Sequence, residues 1–422
     1  MIKFLFKGLL RDRQRSLLPV TVVFLGALLT VFLQSWMTGI LGDMIDFNAK
    51  FSTGHVKVMS KSYWERVEQS PNDLALVNVS RLVDSLKRKY PDMEWVSRIR
   101  FGGLIDAPDS LGNTLAQGPA AGWGIDLFSE NSKEAERLNI PKSMVRGRLP
   151  QKPGEILLSE QFAVNLKVGP GDPVTLVGST MLGGMTIYNF RVAGTVRFGS
   201  SAIDRGAFIA DILDVRIALD MEDASGEILG YFKTGIYNKE LAAAMVAGFR
   251  SGSNQHDDFS PIMVSLRDQN NLSSMVDYMD VMIGIGIFIF VMAMSLVLWN
   301  AGLLGGLRRY GEVGVRLAMG ESKGHVYRSL LLESLLIGTV GSIAGTAVGV
   351  ILSYWLQTNG IDVSSMMKNS SMMLPAVFRT SVTPVTFYVG FVPGLFATVT
   401  GTALAGIGIY KRKTAQLFKE LQ

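Results

Sequence analysis

Residues with the types and spacing needed for catalysis are sparse in this chain. It has no Cys and three His, which excludes disulfides, thiol catalysis and Cys-ligated metal. His256-Asp257-Asp258 could contact a metal ion, but no second ligand pair stands at a recognisable spacing. Neither G-x-S-x-G nor H-E-x-x-H occurs. The sequence therefore predicts no enzyme, no catalytic residues and no metal site.

The sequence also lacks a recognisable nucleotide-binding motif. No G-x-x-x-x-G-K-[ST] motif occurs, and Gly320-Glu321-Ser322-Lys323 has the wrong spacing for a phosphate-binding loop. We therefore expect this chain to bind no cofactor of its own.

Long apolar segments dominate the chain instead. They run from Leu17 to about Gly42, from Val281 to about Leu307, from about Ser329 to Gln357 and from about Val382 to Tyr410. A helix needs about 20 apolar residues to cross a hydrocarbon core of about 30 Å. The predicted fold is a multi-pass α-helical membrane protein with four transmembrane helices in a 1 + 3 arrangement. A large α+β extracytoplasmic domain is inserted after the first helix.

Charge predicts the orientation of these helices. The N-terminal segment, the link between spans two and three, and the C-terminal tail are short and rich in Lys and Arg. Such segments stay in the cytoplasm. Residues 43–280 instead carry 25 Lys and Arg against 30 Asp and Glu. The basic balance of the whole chain thus reflects membrane topology and does not indicate nucleic-acid binding. We expect both termini in the cytoplasm and the large domain in the periplasm.

These patterns divide the chain into nine segments. We predict a cytoplasmic interfacial helix at 1–15, transmembrane helices at 16–43, 277–307, 327–357 and 382–410, an extracytoplasmic α+β domain at 44–276 with a β-rich insert at about 92–210, a cytoplasmic coupling helix at 308–326, an extracytoplasmic loop at 358–381 and a cytoplasmic tail at 411–422. His55 is predicted to be a strand residue near the membrane surface. The methionine-rich stretch 364–373 could bind Cu(I), but an apolar lid is favoured.

The link after the second span carries the sharpest local pattern. In Arg308 to Gly320, Glu312 and Arg316 lie one helical turn apart and can pair. Val313 and Leu317 form an apolar stripe, and Gly320 can end the helix. A docking surface and a solvated loop helix are both compatible with this pattern.

The pattern R-x-x-E-x-G-x-x-R-A-x-G in this link is typical of ABC transporter permeases of the FtsX/MacB type. This chain departs from it by having Leu317 before Ala318. Gly54-His55-Val56-Lys57-Val58 and the block around Gly154-Glu155-Ile156-Leu157-Leu158 resemble lipoprotein-releasing (LolC/LolE-like) permeases. The resemblance covers essentially the whole chain.

The resemblance implies mechanotransmission, in which a separate cytoplasmic ATPase holds ATP and Mg and pushes the coupling helix. The expected coupling residues are Arg309, Glu312, Gly314, Arg316, Ala318 and Gly320. The partners that it implies are the ABC ATPase subunits, a second permease copy or a sister permease, a hydrophobic or lipidated substrate, a periplasmic carrier and membrane lipid. The expected location is the bacterial inner membrane.

Two sets of residues within the spans invite a role. Gly341, Gly345 and Gly349 lie four apart and allow another helix to approach closely, from this chain or another subunit. The outer halves of spans one and two offer adaptable apolar side chains that could line a cavity for acyl chains, although lipid contact or helix packing explains them equally well. They are Phe32, Trp36, Met37, Ile40, Met44, Met275, Met279, Met282 and Ile283.

The lead function from sequence is therefore a permease subunit that extracts or moves a lipidated or hydrophobic substrate at the outer leaflet of the inner membrane. Two alternatives stay open. One is an FtsX-type regulator of a cell-wall hydrolase, although its exported domain is usually smaller than this one. The other is an efflux permease that works with a periplasmic adaptor.

Overall fold

The structure, a computed structural model, describes residues 13–109, 111–250, 257–269, 272–308, 310–362 and 377–411. The chain forms two compact units. One contains residues 1–43, 277–361 and 378–422, and the other contains residues 44–276 and 362–377. The predicted interfacial helix up to residue 12, His256, Arg309, the methionine-rich stretch 364–373 and the tail from 412 lie outside the described residues.

The first unit is helical. Its long helices are α1 (Arg13–Asn48), α9 (Leu272–Arg308) and α11 (Lys323–Asn359). The last five residues of α1 and the first five residues of α9 belong to the second unit. The described residues contain four helical segments that are long and apolar enough to cross a membrane: Leu17–Thr53, Leu272–Asn300, Lys323–Asn359 and Pro384–Ile407. The predicted four-span fold class is confirmed.

The fourth span is not one regular α-helix. A 3₁₀ turn at Pro384–Phe387 precedes a π-helical stretch at Val392–Ala397, and α12 (Thr398–Lys411) completes it. Pro393 lies inside the π-helical stretch, where its missing N–H prevents a regular helical hydrogen bond. The segment is therefore bent by its own sequence.

The predicted coupling segment 308–326 is divided between helices. The helix after the second span, α10, covers Tyr310–Ala318, and α11 begins at Lys323. Residues 323–326 thus lie in α11 and not in α10. The cause is local, because Gly320 has a positive φ of 92° and Ser322 caps the next helix by accepting from the His325 N–H.

The second unit is built on one mixed sheet. Its strands are β1 (Val56–Ser60), β3 (Met93–Pro108), β4 (Thr114–Ile125), β5 (Met144–Gly147), β6 (Glu155–Ser159), β7 (Pro173–Ser179), β8 (Met185–Val196), β9 (Ala207–Asp211), β11 (Glu227–Phe232) and β12 (Pro261–Ser265). Their order is β12-β1-β11-β3-β4-β9-β6-β8-β5, with β7 pairing β3 and β8. A short pair, β2 (Leu76–Val77) with β10 (Ala224–Ser225), stands apart, as does the pair β13 (Ile361–Asp362) with β14 (Val377–Phe378).

Strand β3 belongs to both halves of this sheet. Its first six residues pair with β11, and the remainder pairs with β4 and β7. The β-rich block therefore grows directly out of a strand of the first block.

Helices cover the sheet. They are α2 (Lys61–Glu65), α3 (Val79–Lys89), α4 (Glu134–Arg137), α5 (Ile140–Ser143), α6 (Glu160–Leu166), α7 (Ile212–Ala218) and α8 (Lys239–Arg250). The amphipathic helix α3 turns Val79 and Leu86 towards Trp95 and Ile228, whereas α6 turns Phe162 into a separate core of the β-rich block. Both faces of β1 and β11 are covered, and every residue of these two strands is buried.

Candidate functional site

The predicted coupling segment forms a short helix with one buried and one exposed face. Val313 is buried against Val326 and Leu330, with Leu317 packed beside them. Gly320 closes the helix, because its N–H donates to the Leu317 carbonyl at 3.1 Å. The Glu321 N–H donates to the Arg316 carbonyl at the same distance, which completes a Schellman motif.

The exposed face of α10 is apolar. Val315 and Met319 lie one turn apart and are 42% and 75% exposed, with Ala318 exposed beside them. Arg316 is half-buried, Gly314 is buried, and the side chain of Glu312 lies outside the described part. Val315 and Met319 were not predicted from the sequence, although their spacing of four residues indicates that they share one face of a helix.

The three glycines of the third span pack against the first span of the same chain. A Cβ added at Gly341 would lie 2.7 Å from Val23 Cγ1, and one at Gly345 would lie 2.4 Å from the Phe24 carbonyl oxygen. The equivalent atom at Gly349 would lie 2.8 Å from Val31 Cγ1. These glycines therefore let two backbones approach closely, and the partner is intramolecular.

The residues expected to line an acyl-chain cavity are distributed over two helices. Phe32 and Trp36 stack at 6.0 Å between ring centroids on α1, where Met37 and Ile40 are half-buried. On α9, Met279 and Ile283 are half-buried and Met282 is exposed, while the side chain of Met275 lies outside the described part. Met44 is half-buried and belongs to the second unit. Contact between α1 and α9 occurs at Gly26, which meets Met294 and Leu298, closer to the N-terminus of α1 than the predicted faces.

The best-defined polar site lies where α1 ends. The chain continues from Asn48 into the π-helical stretch Ala49–Thr53, and carbonyls at a helix C-terminus need donors from outside the helix. The Gly54 N–H donates to the Ala49 carbonyl at 2.8 Å. Side chains of strands β3 and β11, together with Gln269, also supply donors to the five carbonyls. The Tyr231 hydroxyl lies 3.2 Å from the carbonyls of both Ala49 and Lys50, and Arg98 Nη1 donates to the Phe51 carbonyl at 3.0 Å.

The remaining two carbonyls are held in the same way. Arg100 Nη2 donates to Ser52 at both its carbonyl, 3.4 Å away, and its Oγ, 2.9 Å away. Gln269 Nε2 donates to the Thr53 carbonyl at 3.1 Å. We call Ala49–Thr53, together with Arg98, Arg100, Tyr231 and Gln269, the clasp. It ties the π-helical stretch that follows the first helix to strands β3 and β11 of the sheet.

Buried acids orient the cations of the clasp. Arg98 is 4% exposed, and its Nε donates to Glu134 Oε2 at 2.6 Å. Burial would raise the pKa of Glu134, but Arg98 and Arg137 outweigh it and hold that pKa below its usual value. Arg137 also pairs with Glu94 at 2.8 Å and stacks over the Tyr231 ring, 4.0 Å from the centroid. Glu134 therefore stays ionised and fixes the Arg98 fork.

A second buried pair lies beside the first. Lys57 Nζ donates to Glu227 Oε1 at 2.9 Å, and Arg100 Nε lies 3.6 Å from the other oxygen. Burial is the main influence on Lys57 and lowers its pKa to about 8, against the opposing effect of Glu227. Burial of Glu227 acts to raise its pKa, but Arg100 and Lys57 together lower it. The clasp is thus backed by charges that would be costly to leave unpaired.

His55 is a structural acceptor next to the clasp. Its Nδ1 accepts from the Phe232 N–H at 2.9 Å, and its ring stacks on the Phe232 ring with centroids 5.2 Å apart. Burial lowers its pKa to about 4. The imidazole is therefore neutral at pH 7, as its role as an acceptor requires. Within the described part of the chain, no group of three or more His, Asp or Glu side chains could hold a metal ion.

These features define a multi-pass membrane protein with a large α/β domain after its first helix. Residues 284–414 match the family described as FtsX-like permease C-terminal. Two curated relatives are similar over 215 residues at 25% identity, each a lipoprotein-releasing system transmembrane protein LolC of Xylella fastidiosa, from strains Temecula1 and 9a5c. The match covers 49% of this chain, and the chain spans about half the length of these relatives.

A solved structure is also similar, the periplasmic region of MacB from Actinobacillus actinomycetemcomitans. It matches at 12% identity and a TM-score of 0.37, over 54% of this chain and 96% of that one. The family match and the LolC relatives support a permease of the FtsX/MacB/LolC type.

Proposed function

We propose that this chain is the permease subunit of an ABC system that works by mechanotransmission. A separate ATPase hydrolyses ATP with Mg²⁺, and the permease uses the motion to extract or move a lipoprotein or another hydrophobic substrate at the outer leaflet of the inner membrane. The LolC relatives belong to a lipoprotein-releasing system, which supports this choice of substrate.

The observation that carries the proposal is the clasp. A device that transmits force needs a stiff joint between the helix that receives the push and the domain that does the work. Helix α1 is continuous from Arg13 to Asn48. Four of the five carbonyls that follow it accept from side chains of the sheet, and the fifth accepts from Gln269, which lies just after β12. In a flexible hinge, in contrast, the carbonyls of this segment would be hydrogen-bonded to water. The clasp therefore favours a permease that moves its exported domain over one that only opens a pore.

The proposed docking surface for the ATPase is the exposed face of α10. Val315, Ala318 and Met319 supply apolar area, and the Schellman motif at Gly320 fixes the direction of the helix. Gly314 and Arg316 support this proposed surface, whereas Arg309 and the side chain of Glu312 lie outside the described part and stay predicted coupling residues. Two permease subunits, either two copies of this chain or one copy with a sister permease, complete the proposed assembly.

A pair of Tyr→Phe variants tests the proposal. Tyr231→Phe removes the hydroxyl that contacts Ala49 and Lys50 but keeps the ring under Arg137. Tyr188→Phe is the matched control, because its hydroxyl makes no hydrogen bond to the described residues. Full-length protein would be purified in mild detergent from its host with its co-purifying ATPase, and both variants reconstituted in proteoliposomes that carry a lipidated protein.

We expect Tyr231→Phe to retain ATP hydrolysis and to lose release of the lipidated protein severalfold, while Tyr188→Phe matches the wild type. If both variants release the lipidated protein equally well, the clasp has no role in the mechanism. ATP hydrolysis without release by the wild type would refute the substrate. Co-purification of a cell-wall hydrolase or of a periplasmic adaptor, without lipidated cargo, would favour the regulator or the efflux permease respectively.

A further inference from the structure

A cleft in the exported domain lies away from the clasp. It has a volume of about 740 Å³ and lies between helix α3, strand β2, the turn at Met181 and the segment Phe259–Pro261. Ligand pockets in proteins commonly measure about 300–1,000 Å³. The cleft is therefore large enough for a ligand of several residues.

Its walls are mainly apolar. Leu76 is 4% exposed and forms the floor, with Leu82 and Met181 beside it. Val77 and Phe259 stand at the mouth and are 58% and 53% exposed. Apolar side chains that converge on a concave surface while remaining in water are typical of a binding surface.

The charge of the cleft has one sign. Arg81 and Arg88 line it, and no Asp or Glu does. The two residues lie seven apart on α3, hence about 10 Å apart on one face. Within the described chain neither forms an ion pair. The acid of the same helix, Asp84, points elsewhere and lines a different cleft. Helix α3 thus directs unpaired cations to this cleft and its carboxylate away from it.

We propose that this cleft binds an extended, acidic peptide segment of a partner protein. Two cations about 10 Å apart suit a ligand with two separated carboxylates, which a peptide provides along its length. The exposed polar groups of Asn78 and Ser85 offer hydrogen bonds to a peptide backbone. An acyl chain suits the site less, because the open cleft would leave much of the hydrocarbon in water. This inference does not depend on the substrate proposed above.

The test uses full-length protein in detergent and a fluorescent peptide with two Glu among Leu and Val residues, read by polarisation. The site variant is Arg81→Gln with Arg88→Gln. Its matched control is Lys142→Gln with Lys152→Gln, which removes the same charge from exposed positions outside the cleft lining. A second variant, Phe259→Ser, removes apolar area at the mouth without changing charge. A peptide with Gln in place of Glu and vesicles of phosphatidylglycerol complete the set.

We expect the arginine double variant to bind the acidic peptide about tenfold more weakly and Phe259→Ser to bind it severalfold more weakly, with the control variant unchanged. Unfolding temperatures should stay at the wild-type value, because Arg81 and Arg88 are exposed. Equal binding of the Gln peptide, or equal binding by the arginine double variant, would overturn the proposal. Binding of the vesicles but not of the peptide would assign the cleft to lipid and overturn it as well.

Discussion

Arg98 Nη1 donates to the main-chain carbonyl of Phe51 at 3.0 Å, and so one buried cation joins strand β3 to the π-helical stretch that follows α1. The same guanidinium is held by Glu134 through Nε at 2.6 Å and lies 3.2 Å from the Tyr231 hydroxyl. Because its donors point in three directions, Arg98 fixes the geometry of the whole clasp.

Replacing Arg98 by Met should be strongly destabilising. The change leaves the Glu134 carboxylate buried with Arg137 as its remaining partner and the Phe51 carbonyl without its donor. We expect the free energy of unfolding to fall by about 3–5 kcal/mol, measured by urea unfolding of the full chain in detergent. Arg146→Met, which breaks the exposed Arg146–Glu160 pair, should cost at most about 1 kcal/mol. Similar losses in the two variants would contradict the central role of Arg98.

His55 should make the stability of the second unit depend on pH. Its pKa is about 4 in the folded state and 6.5 in the unfolded state, so between these values the unfolded chain binds more protons. Its stabilising contribution is therefore complete above pH 6.5 and falls as the pH drops towards 4, by about 3 kcal/mol in total. His55→Asn keeps an acceptor for the Phe232 N–H and should abolish this part of the slope. Unfolding curves at several pH values would measure it, and an unchanged slope in the variant would exclude His55 as its source.

Gly345→Ala should weaken packing between the first and third spans. The new Cβ would lie 2.4 Å from the Phe24 carbonyl oxygen, which belongs to the backbone and can move little. We expect a loss of about 1–3 kcal/mol, seen as a lower unfolding temperature in detergent. Gly284→Ala on the second span is the control, because no atom lies within 4 Å of its added Cβ. An equal loss of stability in the control would show that the close contact is not responsible, because Ala has the higher helix propensity.

Met319→Asp should weaken binding of the ATPase. Met319 is 75% exposed on the apolar face of α10, and a carboxylate there would have to be desolvated in the complex. The amount of ATPase recovered with the purified permease should fall about tenfold. Leu111→Asp, which changes a similarly exposed apolar residue of the second unit, should leave recovery unchanged. Full recovery with Met319→Asp would place the docking surface elsewhere.

Met37→Glu and Met279→Glu test the acyl-chain cavity. If these side chains line it, a carboxylate should reduce release of a lipidated protein by about tenfold or more while the permease–ATPase complex stays intact, since burying an unpaired charge beside hydrocarbon is costly. Leu29→Glu, which places the same charge on an exposed position of the first span, controls for membrane insertion. Unchanged release by both methionine variants would refute the cavity.

The membrane topology could be predicted because it follows from uninterrupted apolar length, which is a local property. The clasp could not. Arg98 lies in a strand where alternation suggests a solvent-facing position, and its partners Phe51 and Glu134 are 47 and 36 residues away. Burial of Lys57 could have been suspected from the sequence, because it is the one charged residue in the apolar run Val56 to Met59. Its side chain is buried because both faces of the sheet are covered at this strand.

The strand β3 has a consequence for how this protein can change over evolution. Because side chains alternate along a strand, inserting or deleting one residue in β3 would reverse the facing of every residue beyond it. The sixteen residues of β3 pair with strands of two blocks of the sheet. Such a change would therefore exchange the buried and exposed side chains of β3 in one block and leave those in the other block unchanged. Differences in length among relatives should therefore accumulate in the turn after Pro108, where the chain can absorb them, and leave β3 itself constant in length.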